Sequence, residues 1–117
     1  MQEDIRRALD ALGLDAARRG SEQLADLIER LLPLPGAPAP AQACRETAAR
    51  FGVRAVQVER NVRALILRLW ETPQGRAALG GLLPWHGGDE PPGSREFLLA
   101  LAARVRIGRA ERAARGG

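Results

Sequence analysis

The chain has 117 residues, enough for one domain with a modest core and too few for several. Hydrophobic residues make up 45% of it, which excludes a disordered chain. Ala, Leu, Arg and Glu dominate, Tyr is absent, and Phe and Trp number two each, so the composition favours an all-α fold. All 18 basic residues are Arg, which reads first as the codon bias of a GC-rich genome and second as a supply of phosphate and guanine donors. The net charge of +4 is too small to identify a polyanionic partner, so its placement matters more. Arg45 to Arg68 holds six arginines and two glutamates; Arg104 to Arg115 holds five arginines and one glutamate. Each of these stretches nets +4, while residues 1–44 and 69–103 each net −2. Two basic segments in an otherwise mildly acidic chain suit an electrostatic footprint on a polyanion.

Ile5, Leu9 and Leu12 repeat at helical spacing and predict a first helix over residues 2–12, ended by Gly13. Ser21 is placed to cap a second helix running to Leu32, with Leu24, Leu27, Ile28, Leu31 and Leu32 as its apolar stripe. Pro33 to Ala41 carries four prolines and forbids a continuing helix; it reads as a long loop inside one domain. A third helix is expected over Gln42–Phe51, broken by Gly52, and a fourth from Ala55 to Glu71 with Val58, Val62, Leu65, Ile66 and Leu69 on one face. Thr72 and Pro73 open a short fifth helix ending at Gly80–Gly81, and the Gly/Pro-rich stretch 82–93 reads as loop. Ser94 is the expected cap of a last helix buried through Phe97, Leu98, Leu101, Ala102 and Val105 and ending near Ile107. Residues 108–117 read as a flexible basic tail beyond a domain over 1–107. The expected architecture is a compact all-α bundle of about six helices.

The third and fourth helices form a helix-turn-helix pattern. Ala48 supplies the small residue where the second helix packs closely, Gly52 supplies the turn, and Val53 and Val58 pin the second helix to the core. This register places Gln57, Glu59, Arg60, Asn61, Arg63 and Ala64 on or near the outward side of the second helix's N-terminal half, the part that enters the major groove in such motifs. Arg donates two hydrogen bonds to guanine O6 and N7, and Glu accepts from cytosine N4, so Glu59, Arg60 and Arg63 are apt for a site with G·C pairs. Arg45, Arg50, Arg54, Gln57, Asn61 and Arg68 are the candidates for backbone contacts. The competing reading is a solvated helix face with an i,i+4 pair between Glu59 and Arg63.

VERNVRALILRLW, Val58 to Trp70, resembles the recognition helix in the C-terminal effector domain of the sporulation master regulator family (stage-zero sporulation protein A), which carries a Val-Glu-Arg-x-Ile-Arg core and ends in Ala-Trp. Pro92 to Leu98, PGSREFL, leading into LALAARVRI, resembles that family's Pro-Thr-Asn-Ser-Glu-Phe-Ile and its terminal helix. Leu12-Gly13-Leu14 with Gly20 is a weaker third block, and the blocks fall in order over residues 10–107. The resemblance implies a bacterial, cytoplasmic, six-helix transcription regulator that binds a short GC-containing box. It implies base contacts by Glu59, Arg60 and Arg63, and homodimers on tandem boxes partly through the last helix, residues 94–107. The sequence departs from the family in several places. Nothing in it resembles the receiver domain, so phosphorelay control in cis is not expected. Gln57 stands for a basic residue, Ala64 for a His, Val53-Arg54-Ala55 for the Thr/Ser cap, and the proline loop for a helical connection. These departures leave a second function class in view: a protein-interaction module that docks on, or forms mixed dimers with, a full-length regulator or RNA polymerase without binding DNA.

No constellation for an enzyme, cofactor or metal site appears. His86, the single histidine, lies in the loop WHGGDE and reads as an exposed loop residue; Cys44 reads as a small, partly buried residue of a reducing compartment; Trp70 and Trp85 read as core residues or caps on the core. No P-loop or dinucleotide fingerprint is present, and Met1 leads straight into a charged amphipathic stretch rather than a leader. No apolar run approaches a membrane span.

Overall fold

Six helices follow one another: α1 (Glu3–Ala11), α2 (Arg19–Leu31), α3 (Pro40–Phe51), α4 (Ala55–Trp70), α5 (Pro73–Leu82) and α6 (Ser94–Gly116). They come from a computed structural model that describes residues 2–14 and 19–116; no strand occurs among these residues. The bundle is all-α, as the composition and periodicity predict.

Sequence chemistry explains the helix ends. Gly13, at φ 86°, closes α1: its N–H bonds to Asp10, and that of Leu14 reaches back to the Leu9 carbonyl at 3.0 Å. This double closure on a left-handed glycine satisfies carbonyls that the last turn would otherwise leave open, and it buries Leu14 against the core. Pro40 starts α3, two residues before the expected Gln42; a proline is well suited to the first helical position because its missing N–H has no helical partner there. Thr72 caps α5 by accepting the Gly75 N–H at 2.9 Å.

Three boundary expectations are corrected. Ser21 does not cap α2, which begins at Arg19; Ser21 is fully buried within the helix. Ser94 is the first residue of α6, and the Gly93 carbonyl accepts the first helical bond, from Phe97. The tail expected from residue 108 is a continuation of α6 to Gly116; Gly117 lies outside the described residues. The extension is held by its own arginines. Arg109 hydrogen-bonds to Asp4 and Gln2, and Arg112 reaches Asp4 at 3.0 Å, so the end of α6 is tied to the start of α1.

The core is built around α2 and α6. α2 packs on α1, α3, α4 and α6, and α6 packs on the other five helices. Leu24, Leu27 and Ile28 of α2 are completely buried, each worth roughly 1.5–3 kcal/mol of transfer free energy. Phe97, Leu101 and Ala102 of α6, which packs on α2, are buried in the same core. Arg106 fastens the two helices at their polar ends: its Nε and Nη2 donate to the carbonyls of Leu32 and Leu31 at 2.9 and 2.7 Å, where α2 has run out of helical donors. Against this frame α3 and α4 are laid on one side, leaving one long face of α4 in solvent.

Candidate nucleic-acid interface

The turn between α3 and α4 is Gly52 to Arg54. Gly52 sits at φ 66°, a left-handed conformation that side chains with a Cβ adopt at a cost. Val53 donates its N–H to the Ala48 carbonyl at 3.0 Å, and its side chain packs partly against the core. Ala48 and Val58 are buried, so α4 is anchored at the positions the pattern assigns to packing. Gln57 turns back on the start of α4: its side-chain carbonyl accepts the Arg54 N–H at 3.2 Å. A short turn closed by a left-handed glycine thus leads into a pinned second helix, the local architecture of a helix-turn-helix.

Val58, Val62, Leu65, Ile66 and Leu69 face the core from α4. The opposite face is open. Val56, Glu59, Arg60, Arg63, Ala64, Leu67 and Arg68 are all exposed. Arg60 stands close to the middle of this face and has no hydrogen-bonding or ionic partner among the described residues. Glu59 and Arg63 do not form the i,i+4 ion pair of the solvated-face reading. Arg63 instead leans towards the loop before α6, where its Nη1 donates to the Pro92 carbonyl at 3.1 Å. That bond uses one of five guanidinium donors and orients the rest.

The backbone-contact candidates divide. Asn61 is corrected: it is half-buried on the α2 side and donates to the Gln23 side-chain oxygen at 2.7 Å, so it acts as an internal tether and not as an outward contact. Arg54, Gln57 and Arg45 stay exposed around the turn and the start of the helices, with Arg45 held to Gln42 on its own helix. Arg50 is exposed along its stem, but its Nη1 rests on the Asp26 carboxylate at 2.7 Å. Arg68 lies exposed in the C-terminal half of α4, on the flank that neighbours Asp10 and Leu14 at the end of α1. It is roughly 16 Å along the helix from Gln57, remote from the N-terminal half of α4.

Asp26, Gln23 and Pro92 are the orienting residues that periodicity misses. Asp26 is 5% exposed and receives hydrogen bonds from Arg30 at 2.8 Å, Thr47 at 2.7 Å and Arg50 at 2.7 Å. Burial pushes its carboxyl up, but the bonds from Arg30, Thr47 and Arg50 outweigh it and hold the group below the ordinary aspartate value. Arg30 also reaches Glu46 at 3.3 Å, so a small charge network rivets α2 to α3. The one sequence signal was an acid enclosed by Leu24, Ala25, Leu27 and Ile28.

Four arginines of the second basic segment have partners within the fold, although Arg104 and Arg112 remain exposed. Arg104 donates to the Gly81 carbonyl, Arg106 to the end of α2, and Arg109 and Arg112 to Asp4. In the α3–α4 segment Arg60, by contrast, is exposed without a partner among the described residues.

Other singled-out residues are structural or peripheral. Cys44 is buried, and desolvation, followed by the nearby Glu59 charge, pushes its thiol up, away from a reactive thiolate. His86 is half-buried instead of exposed: its Nε2 is 2.8 Å from the Glu90 carbonyl, and its Nδ1 lies 3.8 Å from Glu96. Trp70 packs partly on the core beneath the Arg76 guanidinium, whereas Trp85 is 67% exposed and caps nothing. Among the described residues no three of His, Cys, Asp and Glu are grouped to hold a metal ion. Among the described residues no helix is long and apolar enough to cross a membrane. No family model matches the chain, and neither a curated protein nor a solved structure matches it.

Proposed function

We propose that this chain is a sequence-specific DNA-binding transcriptional regulator. α4 enters the major groove by its N-terminal half, Arg60 and Arg63 read guanines, and Glu59 accepts from a cytosine amino group. Arg45, Arg54 and Gln57, with Arg50 beside them, meet the phosphates that flank the turn. The observation that carries this reading is the outward face of α4, on which Arg60 stands exposed and without a partner among the described residues, behind a glycine-closed turn. The resemblance of Val58–Trp70 and Pro92–Leu98 to the sporulation-regulator effector domains supports it, and extends it to a GC-containing box bound in tandem by two copies that meet through α6. The activity requires no cofactor and is not enzymatic.

The test is a fluorescence-anisotropy titration against a GC-containing sporulation-type box and a scrambled duplex at two salt concentrations. Tighter binding to the box, with affinity falling steeply as salt rises, is expected. Equal, salt-sensitive binding to both duplexes would reduce the protein to a basic surface without sequence reading.

One observation favours the second reading, docking on a full-length regulator or RNA polymerase. Leu67 is 40% exposed on the same open face, beyond the part of α4 that a groove accommodates. Absence of binding to either duplex would move the assignment there.

A further inference from the structure

Val56 is the second residue of α4 and one of the large hydrophobic side chains that the fold leaves in solvent, 42% exposed. An isolated exposed valine is ordinary in itself. Its position is what matters. Val56, Arg60 and Arg63 are spaced i, i+4 and i+7 and lie on one stripe of the uncovered face. Val58, two residues on, already anchors this end of the helix, so Val56 has no packing task. Its neighbours on the stripe are two guanidinium groups, which suit a polyanion far better than an apolar protein surface. In a helix that enters the major groove by its N-terminus, first-turn side chains are the ones that reach base edges. The groove edge offers one apolar feature to such a side chain, the C5-methyl group of thymine.

We infer that Val56 is a specificity-determining residue that packs its two γ-methyl groups on a thymine C5-methyl. The inference rests on the DNA-binding reading above and deepens it, because it states what the recognised box contains besides G·C pairs. Val56 precedes Arg60 by one helical turn, about 6 Å along the axis. Side chains one turn apart on a groove-bound helix reach nearby base pairs, so the thymine lies close to the guanine read by Arg60.

The experiment begins by selecting a preferred site from a random duplex library with the full chain. Each thymine of that site is then replaced, one at a time, by deoxyuridine, which removes only the C5-methyl group. One position is expected to lose about fourfold in affinity, the worth of one buried methyl-sized group at ~0.8 kcal/mol converted at 1.4 kcal/mol per factor of ten. Val56→Ser, whose helicity is checked by circular dichroism, is expected to bind the thymine site about fourfold more weakly and to be nearly indifferent to that deoxyuridine. The wild-type arm stands by itself should the variant fail to fold. Indifference of the wild type to every deoxyuridine, a selected site without thymine near the guanines, or an undiminished deoxyuridine penalty in Val56→Ser would overturn the role of Val56. If such a site still loses affinity with Arg60→Ala, the DNA reading survives that failure. Enrichment of no site at all overturns both.

Discussion

The Arg63 guanidinium donates to the Pro92 carbonyl across 3.1 Å, joining the outward face of α4 to the loop that leads into α6. The two residues are 29 positions apart. They also belong to the two sequence blocks that most resemble the sporulation-regulator effector domains, so the contact gives a physical reason for those blocks to occur together. A long arginine side chain loses substantial rotamer freedom on being fixed. On the proposed DNA-binding reading, the carbonyl removes part of that cost before DNA arrives and leaves the remaining N–H groups for a guanine edge.

Arg63→Ala is therefore expected to weaken binding to the selected site by about 1–3 kcal/mol and to relax preference at one base pair. Anisotropy titrations against the site and its single-base variants measure both. An equal loss on random duplexes would reassign Arg63 to phosphate contact. Folding stability should fall by about 0.5–1.5 kcal/mol, the net worth of one part-buried hydrogen bond, because the Pro92 carbonyl loses its side-chain donor.

Asp26→Ala tests the rivet between α2 and α3. The substitution removes the acceptor of three side-chain hydrogen bonds and leaves the Thr47 hydroxyl buried without it. A loss of about 2–4 kcal/mol in urea unfolding is expected, below the upper range for a wholly buried pair because Arg50 keeps access to water. DNA affinity, measured where the variant remains folded, should fall less than with Arg60→Ala.

The same residue fixes the direction of acid sensitivity. Asp26 titrates below its ordinary value in the folded chain, and so does Asp4, whose hydrogen bond from Arg109 is the leading cause. A depressed carboxyl contributes stability that is complete above the unfolded value of 3.8 and is lost as pH falls through the lower folded value. Thermal melts should thus show a constant contribution from both groups at neutral pH and a falling one below about pH 4. Asp26→Asn should flatten part of that decline; an unchanged acid limb would show that the network contributes nothing to it.

Gly75→Ala is expected to be among the most damaging single methyl additions in the chain. A Cβ at Gly75 would stand 1.9 Å from the Leu69 carbonyl oxygen and 2.6 Å from its carbon, so backbone would have to move. A cost of about 1–3 kcal/mol or more follows from forced overpacking, visible as a lowered urea midpoint. Gly52→Ala is a milder contrast. Open space surrounds that position, and the penalty of about 1 kcal/mol comes from the positive φ alone. Gly52→Asn should recover part of it, since Asn tolerates the left-handed region.

The all-α fold of about six helices and the buried stripes of α1, α2, α4 and α6 were legible in the sequence. Period 3.6 in Leu, Ile and Val, with Gly13, Gly52 and the proline run as punctuation, is local information, and local information sets local structure. The outward placement of Glu59, Arg60 and Arg63 followed in the same way, because the buried side of α4 leaves only one other side. In two places where the pattern misled, a long-range polar contact had intervened. α6 runs on to Gly116 because Arg109 and Arg112 find Asp4 more than a hundred residues away. Asn61 turns inward because Gln23 is there to receive it, whereas Trp85 is left 67% exposed. Charge segregation along the chain gave two basic segments of equal weight, and only the packed structure separates them. One is drawn into helix ends and carboxylates, and the other leaves Arg60 facing water. Periodicity assigns a side chain to a face of its own helix. What stands opposite that face depends on which elements the hydrophobic core brings together, and that is decided in three dimensions.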